Sequence, residues 1–175
     1  MADAKEMPHA ALRGCLETLD RCEMIIRKSP KGLFAGNDGF DHAIGPHFRH
    51  CLEHITCFLN GVGKGVIEYD GRPREELLES DPDAFLAAAE RARKGIETIN
   101  PDSLGDTVTV VQTPSLDSPP VRLQSTVERE LVFLSSHTIH HVALIKHICQ
   151  GSGVDLPEGT GLAFSTAVYQ QSIAD

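Results

Sequence analysis

Four things are missing from this 175-residue chain: a C-x-x-C pair, a cluster of basic residues, an apolar run of membrane-spanning length, and a Pro/Ser-rich linker. Five cysteines at irregular spacings, an odd count, fit neither a disulfide framework nor a four-cysteine zinc site, and are read as small core residues. Sixteen Lys and Arg, scattered and outnumbered by 25 Asp and Glu, leave a formal charge of -9. Such a surface argues against a nucleic-acid backbone or an anionic membrane as partner. A membrane-spanning helix needs about 20 apolar residues, which no stretch supplies, and Met1 to Met7 is too polar for a signal-peptide core. The expectation is a cytoplasmic protein. With 41% hydrophobic residues and no dividing linker, residues 1–175 suit a single domain.

What the chain does have is histidine, nine in all, and two stretches concentrate it. Val127 to Gln150 reads as one helix of about 25 residues, roughly 37 Å long. Ser125 with Glu128 has the form of a capping box, and Gly151 stands where a left-handed cap would end it. Val127, Leu131, Leu134, His141, Ile145 and Ile148 make one stripe, and His137 lies about 40° from His141 on the helical wheel. His140 and His147 fall farther round. An i,i+4 pair of imidazoles on one face can hold one metal ion without backbone strain, although a pair alone is also what two core histidines would give.

The second stretch starts near Pro46 and runs through HFRHCLEHITCFLN to about Asn60. Ile44, Phe48, Cys51, Leu52, Ile55, Phe58 and Leu59 form its apolar face, and His47, His50 and His54 cluster within about 60° along one flank. Geometry will not seat all three on one ion. The GVGKG that follows lacks the glycine and the Ser/Thr of a phosphate-binding loop, so it is a helix exit. In IEYDGRPREELLESD, Tyr69, Asp70, Arg72 and Arg74 are either a solvated loop, the default, or the rim of a site.

Two more helices are expected, from about Pro8 to Lys28 and from Asp81-Pro82 to about Ile99, the latter burying Phe85, Ala88, Ala92, Ile96 and Ile99. Lys31 to Ala43 has no clear period. Thr107 to Gln112 and Val121 to Gln124 form a short hairpin, and the tail after Gly151 is irregular until its end. The fold class is therefore all-α, a four-helix bundle with a minor β-hairpin, an architecture that builds sites between facing helices.

AIGPHFRHCLEH on the second helix and HTIHH on the fourth resemble the corresponding motifs of the DinB-like superfamily, which includes bacillithiol transferases and mycothiol-dependent maleylpyruvate isomerases. EYDGRPRE, STVERELVFLSSHTIHH and LPEGTGLAFST are similar to segments of one branch of that group, so the resemblance covers most of Ile44 to Thr166. It implies three metal ligands, His50, His137 and His141, with the remaining coordination positions open to water or substrate. On the wheel His47 and His54 lie closer than His50 to the apolar centre, so either would replace His50 if the register differs by a turn.

The resemblance further implies a divalent-metal-dependent enzyme, zinc or nickel being the ions considered first, acting on a small molecule such as a low-molecular-weight thiol in S-transfer. A metal-dependent hydrolase and a non-catalytic metal- or ligand-binding bundle are the alternatives. Glu130, seven residues before His137 on the same helical face, would orient a histidine, act as a base, or simply favour its helix N-terminus from the surface. The family likeness and the alanine-rich third helix also lead to the expectation of a homodimer.

Overall fold

The computed structural model describes residues 9–173. Pro8, where the first helix was expected to start, and the segment 1–7 lie outside that range, as do 174–175.

Among the described residues there are seven α-helices and a small sheet: α1 Ala10–Lys28, α2 Lys31–Ala35, α3 Gly45–Val62, β1 Val66–Glu68, α4 Leu77–Ser80, α5 Pro82–Glu97, β2 Thr107–Gln112, β3 Val121–Thr126, α6 Val127–Gly151 and α7 Phe164–Ser172. The protein is mostly helical. None of these helices is long and apolar enough to cross a membrane.

The four long helices start and stop where side chains make them. His9 Nδ1 accepts from the Ala11 amide at the head of α1, and Ser29-Pro30 ends it. Asp81 accepts from the amides of Asp83 and Ala84 to open α5, with Pro82 in its first turn. At α6 the cap differs from the one expected. Thr126, not Ser125, accepts from the Arg129 amide, because the Ser125 hydroxyl donates to Glu130. Gly151 is the last helical residue rather than a left-handed cap, and the positive φ comes two residues later at Gly153.

Helix α1 packs on α5 and α6, and α3 packs on the same two. Leu12, Leu19, Ile25 and Ile26 of α1 meet Leu131, Leu134, Val142 and Ile145 of α6 in one continuous core, which Phe48, Leu52, Ile55 and Phe58 extend from α3. Ala89 and Ala92 of α5 are buried in that core, whereas Ala88 is only partly so. Ala89 and Ala92 thus serve this chain's own packing, while Ala87 is exposed.

Three short elements have no counterpart in the expectations. Five-residue α2 places Phe34 in an aromatic cluster with Phe48 and Phe85, ring centres 5.5 to 6.2 Å apart. Four-residue α4 buries Leu78. Strand β1 lies parallel to β2, Val66 opposite Thr109 and Glu68 opposite Val111, while β2 pairs antiparallel with β3 from Thr107↔Thr126 to Gln112↔Val121. The hairpin thus becomes a three-stranded sheet. Ile67, Val108 and Val110 turn one face inward, and Leu123 of β3 stays exposed.

Gly45 fixes where α3 begins. A β-carbon there would collide with the carbonyl oxygens of Glu79 and Phe34. Both obstacles are backbone, so neither can swing aside. Gly45→Ala is expected to lower stability by roughly 1–3 kcal/mol, read as a shift of the urea midpoint at unchanged slope.

Candidate metal centre

The stripes that bury α3 and α6 leave their histidine flanks side by side. His47, His50 and His54 come from α3, His137 and His141 from α6. All but His54 are half-buried; His54 is 4% exposed. Ring centres are 5.0 Å apart for His50 and His137, 4.7 Å for His50 and His141, and 4.8 Å for His137 and His141. The three residues implied by the resemblance are therefore neighbours across one gap. His140 and His147 are exposed.

His54 belongs to the same cluster, with ring centres 4.4 Å from His50 and 4.6 Å from His137. One ring nitrogen from each of His50, His54 and His137 can be chosen so that all three lie within 4.8 Å of one another. Two overlapping triads thus share His50 and His137, and the third position falls to His54 or His141. Imidazoles on a tetrahedral ion, with metal–nitrogen bonds of about 2.0 to 2.1 Å, have ring centres about 5 Å apart, which both triads nearly meet.

Hydrogen bonding separates the two. His54 Nδ1 is 2.8 Å from the His50 carbonyl, which only accepts, so Nδ1 carries the proton and Nε2 presents a lone pair. That lone pair faces Arg72 Nη1 at 3.3 Å. Both nitrogens of His54 are engaged, one of them by a cation. His137 is the opposite case: its Nε2 is buried and has no hydrogen-bond partner among the described residues. A buried nitrogen without a partner costs about 1–3 kcal/mol unless something fills the place. His141 Nδ1 lies 3.1 Å from His47 Nδ1, a contact that needs one proton between the two rings.

The rings are held neutral. Burial, then the neighbouring imidazoles His54, His141 and His137 and the guanidinium of Arg72, bring the pKa of His50 down to about 3. Burial chiefly takes His54 to about 4 against the opposing pull of its hydrogen bond to the His50 carbonyl. Burial and then His137, His47, His140 and His54 take His141 to about 4. His47 and His137 are lowered as well, in both cases first by burial and next by His140. Neutral imidazoles with free lone pairs are what a divalent ion requires.

Glu130 is neither a surface residue nor bonded to any histidine. It is fully buried and accepts from the Tyr69 hydroxyl at 2.8 Å, from Ser125 and from Arg129. Tyr69, 1% exposed, in turn lays its ring against His54 and Phe133, and Phe133 stacks on His137. Glu130 thus supports the wall of the cluster through a tyrosine. Tyr69→Phe removes one donor from a buried carboxylate and is expected to cost about 1–3 kcal/mol, measured by chemical denaturation.

Two residues that the sequence left as solvated loop by default, Tyr69 and Arg72, stand at the site. The signal for them was slight: a tyrosine directly after a three-residue strand, and an arginine before a proline. None of the five cysteines supplies a ready nucleophile. Burial raises every thiol, Cys15 to about 11 and Cys22 to about 12, and Cys51, Cys57 and Cys149 move the same way.

No protein-family model matches the chain, and no solved structure matches it. Among curated proteins, FK506-binding protein 5 of Rhizopus delemar is 37% identical over 102 residues, which are 58% of this chain and 26% of that protein. The chain spans about a quarter of the length of this relative.

Proposed function

We propose that the chain is a DinB-like four-helix-bundle protein that binds one divalent metal ion, zinc or nickel, on His50, His137 and His141, and that it is a metal-dependent enzyme of the thiol S-transferase kind. The observation that carries the reading is the buried, partnerless Nε2 of His137 in a cluster of neutral imidazoles from two helices. The closed circuit of contacts from α1 to α6 to α3 to α5 and back supports the bundle. His141 is preferred to His54 as third ligand because Arg72 already occupies His54 Nε2, and a doubly charged ion on that nitrogen would face a guanidinium at contact range.

Once bound, the ion would lower the pKa of a thiol or water, so that the nucleophile exists as an anion at neutral pH. The chain's own part is to present neutral nitrogens from two rigid helices, to hold His54 through the His50 carbonyl, and to wall the site with Tyr69 and Phe133. Thiol transfer is favoured over hydrolysis because the carboxylate expected to serve as a base, Glu130, is saturated by three donors away from the histidines. A thiol brought by the substrate is also needed, since the protein's own thiols are held protonated.

Five free cysteines suit a reducing compartment, and we place the protein in the cytoplasm on that ground. We also propose a homodimer, now through exposed Val132 and Leu144 of α6 and Val168 and Tyr169 of α7 rather than through α5. Sedimentation equilibrium at micromolar concentration should give twice the 19.0 kDa of one chain, and a monomer rejects the dimer alone.

Elemental analysis of protein purified without an affinity tag tests the central claim. About one equivalent of metal per chain is expected. A metal-free protein that also refuses added zinc, nickel and cobalt overturns it, while a loaded protein inert toward every thiol and electrophile tried leaves a binding bundle.

A further inference from the structure

Arg72 is the unexplained charge at the site. Arg13, Arg27, Arg49, Arg93 and Arg129 each have a carboxylate within 4.0 Å; among the described residues Arg72, like Arg21, Arg74, Arg91 and Arg122, has none, and of these five it is the one bonded to a histidine of the cluster. Its protein contacts use a single nitrogen: Nη1 donates to the Tyr69 carbonyl at 2.6 Å and to His54 Nε2 at 3.3 Å. Nε and Nη2, one edge of the planar fork, make no hydrogen bond to the described residues.

This cation is held in place by its loop. On one side of it Asp70 Oδ2 accepts from the Thr113 amide at 2.6 Å; on the other the buried Glu53 Oε1 accepts from the Glu75 amide at 2.8 Å. Pro73 restricts Arg72 itself to extended backbone, φ −60° and ψ 139°. Asp70 and Glu53 each turn one carboxylate oxygen to fastening the loop, and neither pairs with Arg72. A loaded site would combine a divalent ion, a fixed guanidinium and uncharged imidazoles, a strongly positive, half-buried group that calls for an anion.

We propose, resting on the metal reading above, that Arg72 anchors the carboxylate of a small ligand whose thiol end reaches the metal, so that the site takes carboxylate-bearing thiols in preference to neutral ones. The free edge of a guanidinium offers two parallel N–H groups to the two oxygens of a carboxylate, a recognition that lysine cannot reproduce.

The test uses the full chain loaded with cobalt(II), whose visible absorption changes when a thiol enters, titrated with mercaptoacetate and with mercaptoethanol. Wild type is expected to bind mercaptoacetate at least about tenfold more tightly, the effect of one charge-assisted contact. Arg72→Gln should keep its cobalt and its affinity for mercaptoethanol while the preference shrinks to about threefold or less, with Arg72→Lys in between. If Arg72→Gln also loses cobalt, Arg72→Lys carries the comparison, and an undiminished preference there overturns the assignment. Equal affinities in wild type, or a preference that survives in Arg72→Gln, overturn it too and leave the metal reading standing. A chain that takes up no cobalt overturns the metal reading first.

Discussion

Replacing His137 with alanine is expected to empty the metal site, lowering bound metal from about one equivalent to less than about a tenth under dilute conditions. The substitution removes a ring that belongs to the close-nitrogen triad with His50 and His54 and to the ring cluster with His50 and His141, and whose Nε2 has no partner among the described residues. Two imidazoles remain, and loss of a direct ligand should exceed the 10–100-fold that loss of an outer hydrogen-bond partner costs. His50→Ala should behave alike, because it too belongs to both triads. His147→Ala, exposed on the far side of α6, should keep full occupancy and is the control for a general effect of removing histidine. Isothermal titration with zinc at pH 7.5 reads all of these. Full occupancy in His137→Ala would sink the site itself.

The same titration decides the third ligand. His141→Ala should cost as much as His137→Ala, whereas His54→Ala and His47→Ala should weaken binding about 10–100-fold by removing neighbours that orient the ligands. The reverse pattern, with His54 indispensable and His141 dispensable, would mean that Arg72 swings off His54 Nε2 when metal enters. That outcome would shift the assignment by one ring and leave the interhelical site intact.

How far the sequence foretells all this depends on the length over which a pattern repeats. α6 is 25 residues long, and its period gives its bounds to within one residue. Its cap does not follow so directly, because Ser125 and Thr126 are both competent N-caps and the choice is made by Glu130, which claims the Ser125 hydroxyl from inside the core. α2 and β1 have five and three residues, too few for a period to show, and they exist because Phe34 and Ile67 are buried by distant parts of the chain. β1 runs directly into Tyr69 and the turn that ends at Arg72. The histidines can be gathered from their helical spacing, but the residues around them depend on a parallel pairing of β1 with β2 that no local pattern announces. Glu130 makes the same point: its position on the helix is legible, yet its burial depends on a tyrosine 61 residues away.

The metal-free protein is expected to lose stability steeply between pH 6.5 and 4, a range in which most small proteins change little. Every imidazole of the cluster has a folded pKa below the free value of 6.5, His50 at about 3 and His54 and His141 at about 4. In that window the unfolded chain binds protons that the folded chain refuses, so acid favours unfolding. The contribution is complete above pH 6.5 and is lost as pH falls toward the folded values. All the rings but His54 are half-exposed and screened by water, so the loss over the window is expected to be roughly 4 kcal/mol. Metal changes the picture in a defined way: an ion that binds only the folded, neutral rings adds stability in proportion to its affinity and concentration, and that addition shrinks as protons compete. Urea midpoints at pH 7.5, 6.0 and 5.0, with chelator and with zinc, should diverge most at the highest pH. A chelated protein whose midpoint is flat from pH 7.5 to 5.0 would mean that the five imidazoles are solvated rather than packed between α3 and α6.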